Sequence, residues 1–213
     1  MPECYVRLAK YSDASSLAKL HFTLMKGIPH GILKSLGGRF RLEYYRTTLI
    51  EPHSLTLCLV SAEGNMLGIA SGSLDAAEHM AYLKRRRFHL AWAAAPVLIR
   101  HPLMVPKLIR KQRNKGADGS TDDYIVTSGP RLEFWGVTDE CRSGGHAVAL
   151  LQAWLSIAKL LGADLIRFEV NASEERAEMV HRKLGATLVK EFVTPEGTSR
   201  KILQYERHSR MRG

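Results

Sequence analysis

The run from Arg131 to Leu161 constrains the fold more than any other part of the chain. Residues 131–138, Arg-Leu-Glu-Phe-Trp-Gly-Val-Thr, are rich in strand formers, whereas 139–145, Asp-Glu-Cys-Arg-Ser-Gly-Gly, are small or polar and break the strand. From Gly145 to Leu161 the pattern is helical and almost wholly apolar, with a narrow polar stripe of Gln152, Ser156 and Lys159, and Gly162 supplies the stop. A helix apolar on nearly every side must be enclosed, so it packs against a sheet in an α/β domain. Its first amides lack intrahelical acceptors and lie at the positive end of the helix dipole. Small residues at 143–145 and Ala147 let an anion approach that backbone, as a phosphate does at many helix starts. Gly-Gly before a helix is also compatible with a tight turn that binds nothing.

The flanking sequence fills in the sheet. Residues 5–9 read as a strand, and Ser12 is placed to cap a helix carrying Ala14, Leu17, Leu20, His21 and Leu24 at helical spacing up to Gly27. A second helix is expected over 33–49, ended by Pro52. Leu55–Ser61 and Met66–Ser73 form a hairpin about Glu63-Gly64-Asn65. After Gly129-Pro130 the order is strand 131–138, helix 145–161, strand 164–170, helix 174–184, and a closing hairpin of 187–194 and 200–205. The whole is read as one domain, 1–213, interrupted by a basic helical insertion and mobile loop over 77–123.

Charge is concentrated in that insertion. Net charge is +10, yet residues 84–115 hold ten Lys/Arg and no Asp/Glu, leaving twenty-one basic against twenty-one acidic residues in the rest. A local anionic partner fits this distribution; a general nucleic-acid surface does not. Apolar and aromatic residues interleave with the cations, but Pro96, Pro102, Pro106 and Arg100 interrupt every run before it reaches the ~20 residues of a membrane span. Three readings follow: a wall of a substrate pocket, which is favoured because long insertions in compact domains tend to be functional; peripheral contact of 84–115 with an anionic membrane; or a homodimer interface. Cys4, Cys58 and Cys141 form no C-x-x-C pair and no Cys/His cluster, so neither a disulfide framework nor a metal is expected, and a reducing, cytoplasmic setting is the simplest expectation.

The segment Val137-x-x-x-x-Arg142-x-x-Gly145-x-Ala147 resembles the acetyl-CoA signature of the GNAT superfamily of N-acetyltransferases, in which a Q/R-x-x-G-x-G/A loop cradles a pyrophosphate after a strand with an aliphatic end. The downstream order of strand, helix and Lys183-Leu-Gly-Ala186 is similar to that family too, so the resemblance covers 131–192 well. It implies a GNAT-like mixed, splayed central β-sheet flanked by helices, with the basic insertion between the third and fourth strands. It implies acetyl-CoA as co-substrate and a primary amine as acceptor. Arg142, Ser143, Gly144, Gly145, His146 and Ala147 would hold the diphosphate, the backbone around Val137 and Thr138 the pantetheine arm and thioester oxygen, and Asn171 would either bond pantetheine or cap the following turn. Two positions depart from the pattern: His181 replaces a frequent tyrosine acid, and Ala186 an aromatic residue.

Within that frame, period-two alternation places Glu133 on one face with Trp135 and Val137, and Leu132, Phe134 and Gly136 on the other. Glu133 is accordingly the candidate general base, against the alternative of a structural carboxylate paired with an arginine. His181 is either a packed helical histidine or a catalytic, sulfur-contacting group. An anionic amine, such as a phosphorylated or nucleotide-linked amino sugar, would suit a basic pocket wall. The rival functions are an acyltransferase for longer acyl-CoA and a CoA-binding domain that works through its insertion at a membrane or protein partner.

Overall fold

The computed structural model describes residues 3–26, 32–106, 128–143, 145–194 and 197–206. Strands β1 (Cys4–Leu8), β2 (Ser54–Ser61), β3 (Met66–Ser73), β4 (Arg131–Val137), β5 (Leu165–Asn171), β6 (Thr187–Val193) and β7 (Ser199–Glu206) form one sheet in the order β1-β2-β3-β4-β5-β7-β6. Every neighbouring pair is antiparallel except β4 and β5. Helices α1 (Ala14–Leu24), α2 (Ile32–Ser35) and α3 (Gly37–Thr48) precede β2, α4 (Ala76–Arg85) and α5 (Arg87–Arg100) follow β3, α6 (His146–Leu160) links β4 to β5, and α7 (Glu175–Lys183) links β5 to β6. The mixed, splayed sheet expected from the sequence is present. Two helices occupy the amino-terminal half of the expected insertion, and residues 107–123, including the expected mobile loop 117–123, lie outside the described residues.

The apolar surround of α6 decides the core. Leu150, Leu151, Trp154, Leu155 and Ala158 are all buried against one face of the sheet, with Leu57, Leu59, Leu132, Ile166 and Leu203. Trp154 is fully enclosed, and its indole N–H is satisfied by the Leu55 carbonyl at 2.9 Å, so a large apolar body is buried without an unmade hydrogen bond. On the opposite face Leu17, Leu20 and Tyr45 from α1 and α3 pack on Cys58, Val60 and Ile69. A third cluster joins Leu36 and Phe40 to Leu90 and Ala94, which seats α5 on the start of α3.

Two helical boundaries differ from expectation. The cap of α1 is Asp13 rather than Ser12, and the Asp13 carboxylate turns away from the helix to bind Arg7 at 2.7 and 3.0 Å and the Lys10 amide at 2.7 Å. The single helix expected over 33–49 is two, because the chain breaks at Gly37, whose φ of 85° is left-handed and whose missing Cβ leaves room for Val97 of α5, 2.8 Å from where it would lie. Pro96 lies inside α5 without ending it.

Gly72 of β3 is a second close approach. A Cβ there would fall 2.2 Å from the Arg131 carbonyl oxygen and 2.6 Å from the Trp154 ring, so strand backbone would have to move. Gly72→Ala is expected to cost about 3 kcal/mol in urea unfolding. Gly64→Ala, at a left-handed turn with open space around it, is expected to cost about 1 kcal/mol. Equal costs at the two sites would refute a steric origin for Gly72.

Candidate active site

The site is made by a seam that closes over only two residue pairs. β4 and β5 are in register at Arg131↔Arg167 and Leu132↔Phe168 and no further, although β4 runs on to Val137 and β5 to Asn171. Each strand keeps its partner on the other side, β4 pairing with β3 to Val137 and β5 with β7 to Asn171. The facing edges beyond Leu132 and Phe168 therefore diverge, and their backbone groups are left for something other than strand pairing.

β4 leads through Thr138 and a single 3-10 turn, Asp139–Cys141, to α6. Gly145 precedes α6 with a φ of 80°, a conformation that suits glycine, and nothing lies within 4 Å of where its Cβ would be. The first closed bond is Ala149 N–H to the Gly145 carbonyl at 2.8 Å, so by helix geometry the amides of His146, Ala147 and Val148 have no intrahelical acceptor. Trp135 donates its indole N–H to the Ala147 carbonyl at 2.9 Å and ties the end of β4 to this first turn. His146 Nε2 is buried there without a hydrogen-bond partner. Ser143 is exposed, and Gly144 lies outside the described residues. Arg142 is exposed and pairs with Asp139 at 2.9 Å, so its guanidinium stands at the rim of the loop. Thr138 contributes its amide to the Leu67 carbonyl and its hydroxyl to Glu140, while the Asn171 carbonyl accepts the Glu174 amide at 2.9 Å. The loop thus offers bare amides, an open glycine and one unpartnered buried imidazole nitrogen, a donor set that fits a diphosphate.

Glu133 is not on the face that alternation predicts. β3 and β4 pair Ser71 with Phe134 but Gly72 with Leu132, leaving Glu133 as the extra residue of a β-bulge. The bulge resets the period. Leu132, Trp135 and Val137 all pack on the α6 side, whereas Phe134 stacks on His21 of α1 at 4.0 Å and Glu133 turns to α3, where it accepts the Tyr44 hydroxyl at 3.2 Å. Arg131 also binds the Glu133 carboxylate, and His79 of α4 points Nε2 at it from 3.5 Å. His79 Nδ1 bonds Glu51 at 2.9 Å, and both side chains are almost fully buried. Burial and the Glu133 charge hold the Tyr44 phenol far above its ordinary titration range, so it remains a donor. Glu133 itself is 17% exposed, so solvent or substrate reaches it. Sequence reading found Glu133 but missed Tyr44, Glu51 and His79, which lie far from it in the chain; the only signal was a lone histidine in the first turn of a helix, between Glu78 and Met80, which carries no specificity.

His181 lies on the other side of the seam and is 2% exposed. It packs between Phe168 at 4.0 Å and Trp135 at 5.3 Å between ring centres, and its Nδ1 bonds the Tyr205 hydroxyl at 2.7 Å. Burial pushes its pKa down to about 3, so at neutral pH it is an uncharged imidazole. Glu133 and His181 thus stand on opposite faces of the sheet, the first tethered to α3 and α4, the second among core aromatics.

His21 is the counterpart on the α1 side, its pKa lowered by burial and, secondarily, by Arg41 to about 4. Both histidines are neutral when folded and take up a proton near 6.5 when unfolded, so the unfolded chain binds more protons below that pH. Their contribution is complete above about 6.5 and is lost as pH falls toward about 4 and about 3. The melting temperature is expected to drop between pH 6.5 and 5, above the ordinary carboxylate range, and His181→Gln should make that slope shallower. A slope identical in the variant would show that His181 is not neutralised by folding.

No protein-family model matches the chain, and no curated protein does. Solved structures do. A proposed acetyltransferase from Salmonella typhimurium, solved with its cofactor acetyl-CoA, is 12% identical over 96% of this chain and 94% of its own, with a TM-score of 0.59. A GNAT-family acetyltransferase from Streptococcus pneumoniae is 12% identical over 96% and 99%, with a TM-score of 0.58. A spermidine N-acetyltransferase from Vibrio cholerae, in its F149A form, is 10% identical over 95% of each chain, with a TM-score of 0.58. At these identities the likeness is one of architecture, and it extends over nearly the whole length: the chain has the fold of the GNAT acetyltransferases.

Proposed function

We propose that the chain is an acyl-CoA-dependent N-acetyltransferase that moves acetyl from acetyl-CoA to a primary amine of a small-molecule or metabolite acceptor, by direct attack in a ternary complex. One observation carries the reading: the seam between β4 and β5 opens after two residue pairs, directly beside a helix start whose amides are bare. Acetyl-CoA supplies the thioester; the amine nitrogen forms the new bond to its carbonyl carbon, the carbon–sulfur bond breaks, and CoA leaves.

The residues divide that work by position. Gly145, His146 and Ala147 bind the diphosphate through backbone amides, with Ser143, Gly144 and Arg142 completing the loop. The free edge of β4 at Val137, with the Thr138 side chain next to it, and that of β5 near Asn171 hold the pantetheine arm, the strand edges by main-chain bonds. Glu133 takes the proton that the amine releases, directly or through one water, and Tyr44 and Arg131 fix the carboxylate's orientation. His181 stays neutral and is held in the core by Tyr205, so the sequence-based expectation of a sulfur-contacting role does not fit its burial, and the thiolate takes its proton from solvent. The insertion packs through Leu90 and Ala94 on the same α3 that carries Tyr44, so its inner face borders the surroundings of Glu133 and suits a wall of the acceptor site.

Calorimetric titration of acetyl-CoA tests the cofactor loop. Wild type is expected to bind in the micromolar range and the Gly145→Glu/Ala147→Glu variant not at all; failure of wild type to bind would remove the reading. With binding in hand, Glu133→Gln is expected to lower kcat about 100-fold in an amine-acceptor assay while leaving the acetyl-CoA Kd unchanged. An unchanged kcat would return Glu133 to the role of a structural ion pair.

A further inference from the structure

We propose that the outward face of α5 is a docking surface for an anionic lipid membrane. A surface helix normally buries one apolar stripe and shows water a polar one. α5 is apolar on both sides. Leu90, Ala93 and Ala94 face inward and seat the helix on Leu36 and Phe40. Phe88, Trp92 and Ile99 recur at helical spacing on the outside and are 75%, 72% and 79% exposed, and Leu103, just past the helix end, is 78% exposed as well. Three large apolar side chains on one helix face, with a fourth exposed just beyond its end, mark a surface that is covered in use.

The charges around the stripe identify what covers it. Arg85, Arg86 and Arg87 flank its amino end and Arg100 its carboxyl end, all exposed. No Asp or Glu occurs between residues 84 and 115. The Arg87 guanidinium lies 4.9 Å from the centre of the Phe88 ring, so cation and aromatic are presented together. A second copy of the chain fits poorly. Antiparallel two-fold pairing of α5 would bring Arg85–Arg87 of one copy onto Arg100 of the other, and the stripe has no carboxylate to neutralise them. A nucleic acid would meet the arginines yet leave Ile99 and Leu103 in water. An anionic bilayer meets both demands: lipid phosphates take the arginines while Phe88, Trp92, Ile99 and Leu103 enter the boundary between headgroups and acyl chains. The helix would lie flat, since no helix among the described residues is long and apolar enough to cross a membrane. At about 1.5 Å per residue the 14-residue α5 offers roughly 21 Å of contact.

Flotation of the full-length protein with vesicles tests this, using phosphatidylglycerol/phosphatidylcholine mixtures against phosphatidylcholine alone at low and high salt. The protein is expected to float with the anionic vesicles at low salt, to be released by high salt, and to stay behind with phosphatidylcholine. Tryptophan emission should shift to the blue on binding, and the shift should vanish in Trp92→Phe, because Trp154 is wholly enclosed and Trp135 is held by the Ala147 carbonyl. Phe88→Ser/Ile99→Ser should abolish flotation, and Arg85→Gln/Arg86→Gln/Arg87→Gln should weaken it on the order of 100-fold. These side chains are exposed, so the variants are expected to keep the wild-type circular dichroism and acetyl-CoA titration, which separates failure of this surface from failure of the cofactor loop. The proposal is overturned if wild type does not float at low salt or if the Ser variant floats like wild type. Sedimentation of wild type as a dimer that Trp92→Ser dissociates would also overturn it and assign the stripe to a second copy.

Discussion

The parallel seam between β4 and β5 is the constraint on which the rest of the structure turns. Parallel neighbours ordinarily pair along their shared length, and here they do so at two positions only. The two halves of the sheet are instead held by what surrounds the seam: antiparallel pairing outward on both sides, the Arg167 amide on the Pro130 carbonyl, and the packing of Trp154 on Gly72. Because the core beneath is complete without further strand pairing, the open edges can be spent on a ligand with no penalty to the fold. The same arrangement explains why the helix start matters, since α6 begins where β4 has just freed its edge and Trp135 fastens the two together.

The bulge at Glu133 is the second consequence of close packing at this point. Gly72 approaches Arg131 and Trp154 too closely for any Cβ, and at the same place the register shifts and leaves one residue of β4 out of line. That residue is an acid, and it emerges among Tyr44, Arg131 and His79 rather than in the α6 core. A carboxylate in the core would have no partner and would be costly to bury; on the α3 side each of its oxygens is met by a donor. The Glu51–His79 pair behind it is buried and reaches it from α4, so the insertion contributes to the surroundings of Glu133 as well as to the outer surface.

Most of the architecture was legible in local pattern. The strand-to-helix run 131–161 required an enclosed helix on a sheet, and the terminal hairpins were marked by turn residues. What escaped local reading depended on contacts between distant segments. Alternation along β4 mis-assigned Glu133 because a bulge depends on the pairing with the partner strand, where the register shifts between Ser71 and Gly72. Ser12 has the chemistry of a helix cap, yet Asp13 stands there because Arg7, in the neighbouring strand, holds it. Pro96 should interrupt α5, but it lies on the exposed side and the helix runs past it, while Ala93 and Ala94 remain buried and Ala94 packs with Phe40 of α3. His79 and Tyr44 are silent as single letters and acquire meaning only where α3 and α4 meet Glu133.

The insertion has two faces with separate physical duties. Its inner face is tied to the domain by apolar packing of α5 on α3 and by the buried His79–Glu51 bond from α4. Its outer face takes no part in either contact, since Phe88, Trp92 and Ile99 touch none of the clusters that seat the helix. Changes to the outer stripe should therefore leave the environment of Glu133 intact, because sites without shared partners act almost independently. The arginines obey the same logic: Arg85, Arg86, Arg87 and Arg100 are exposed, so desolvation does not fix them in the fold and they can neutralise an external anion. A helix packed on one side and bare on the other presents its outer side chains from a seated backbone, and that seating lets a short apolar stripe act as a surface rather than as a frayed segment.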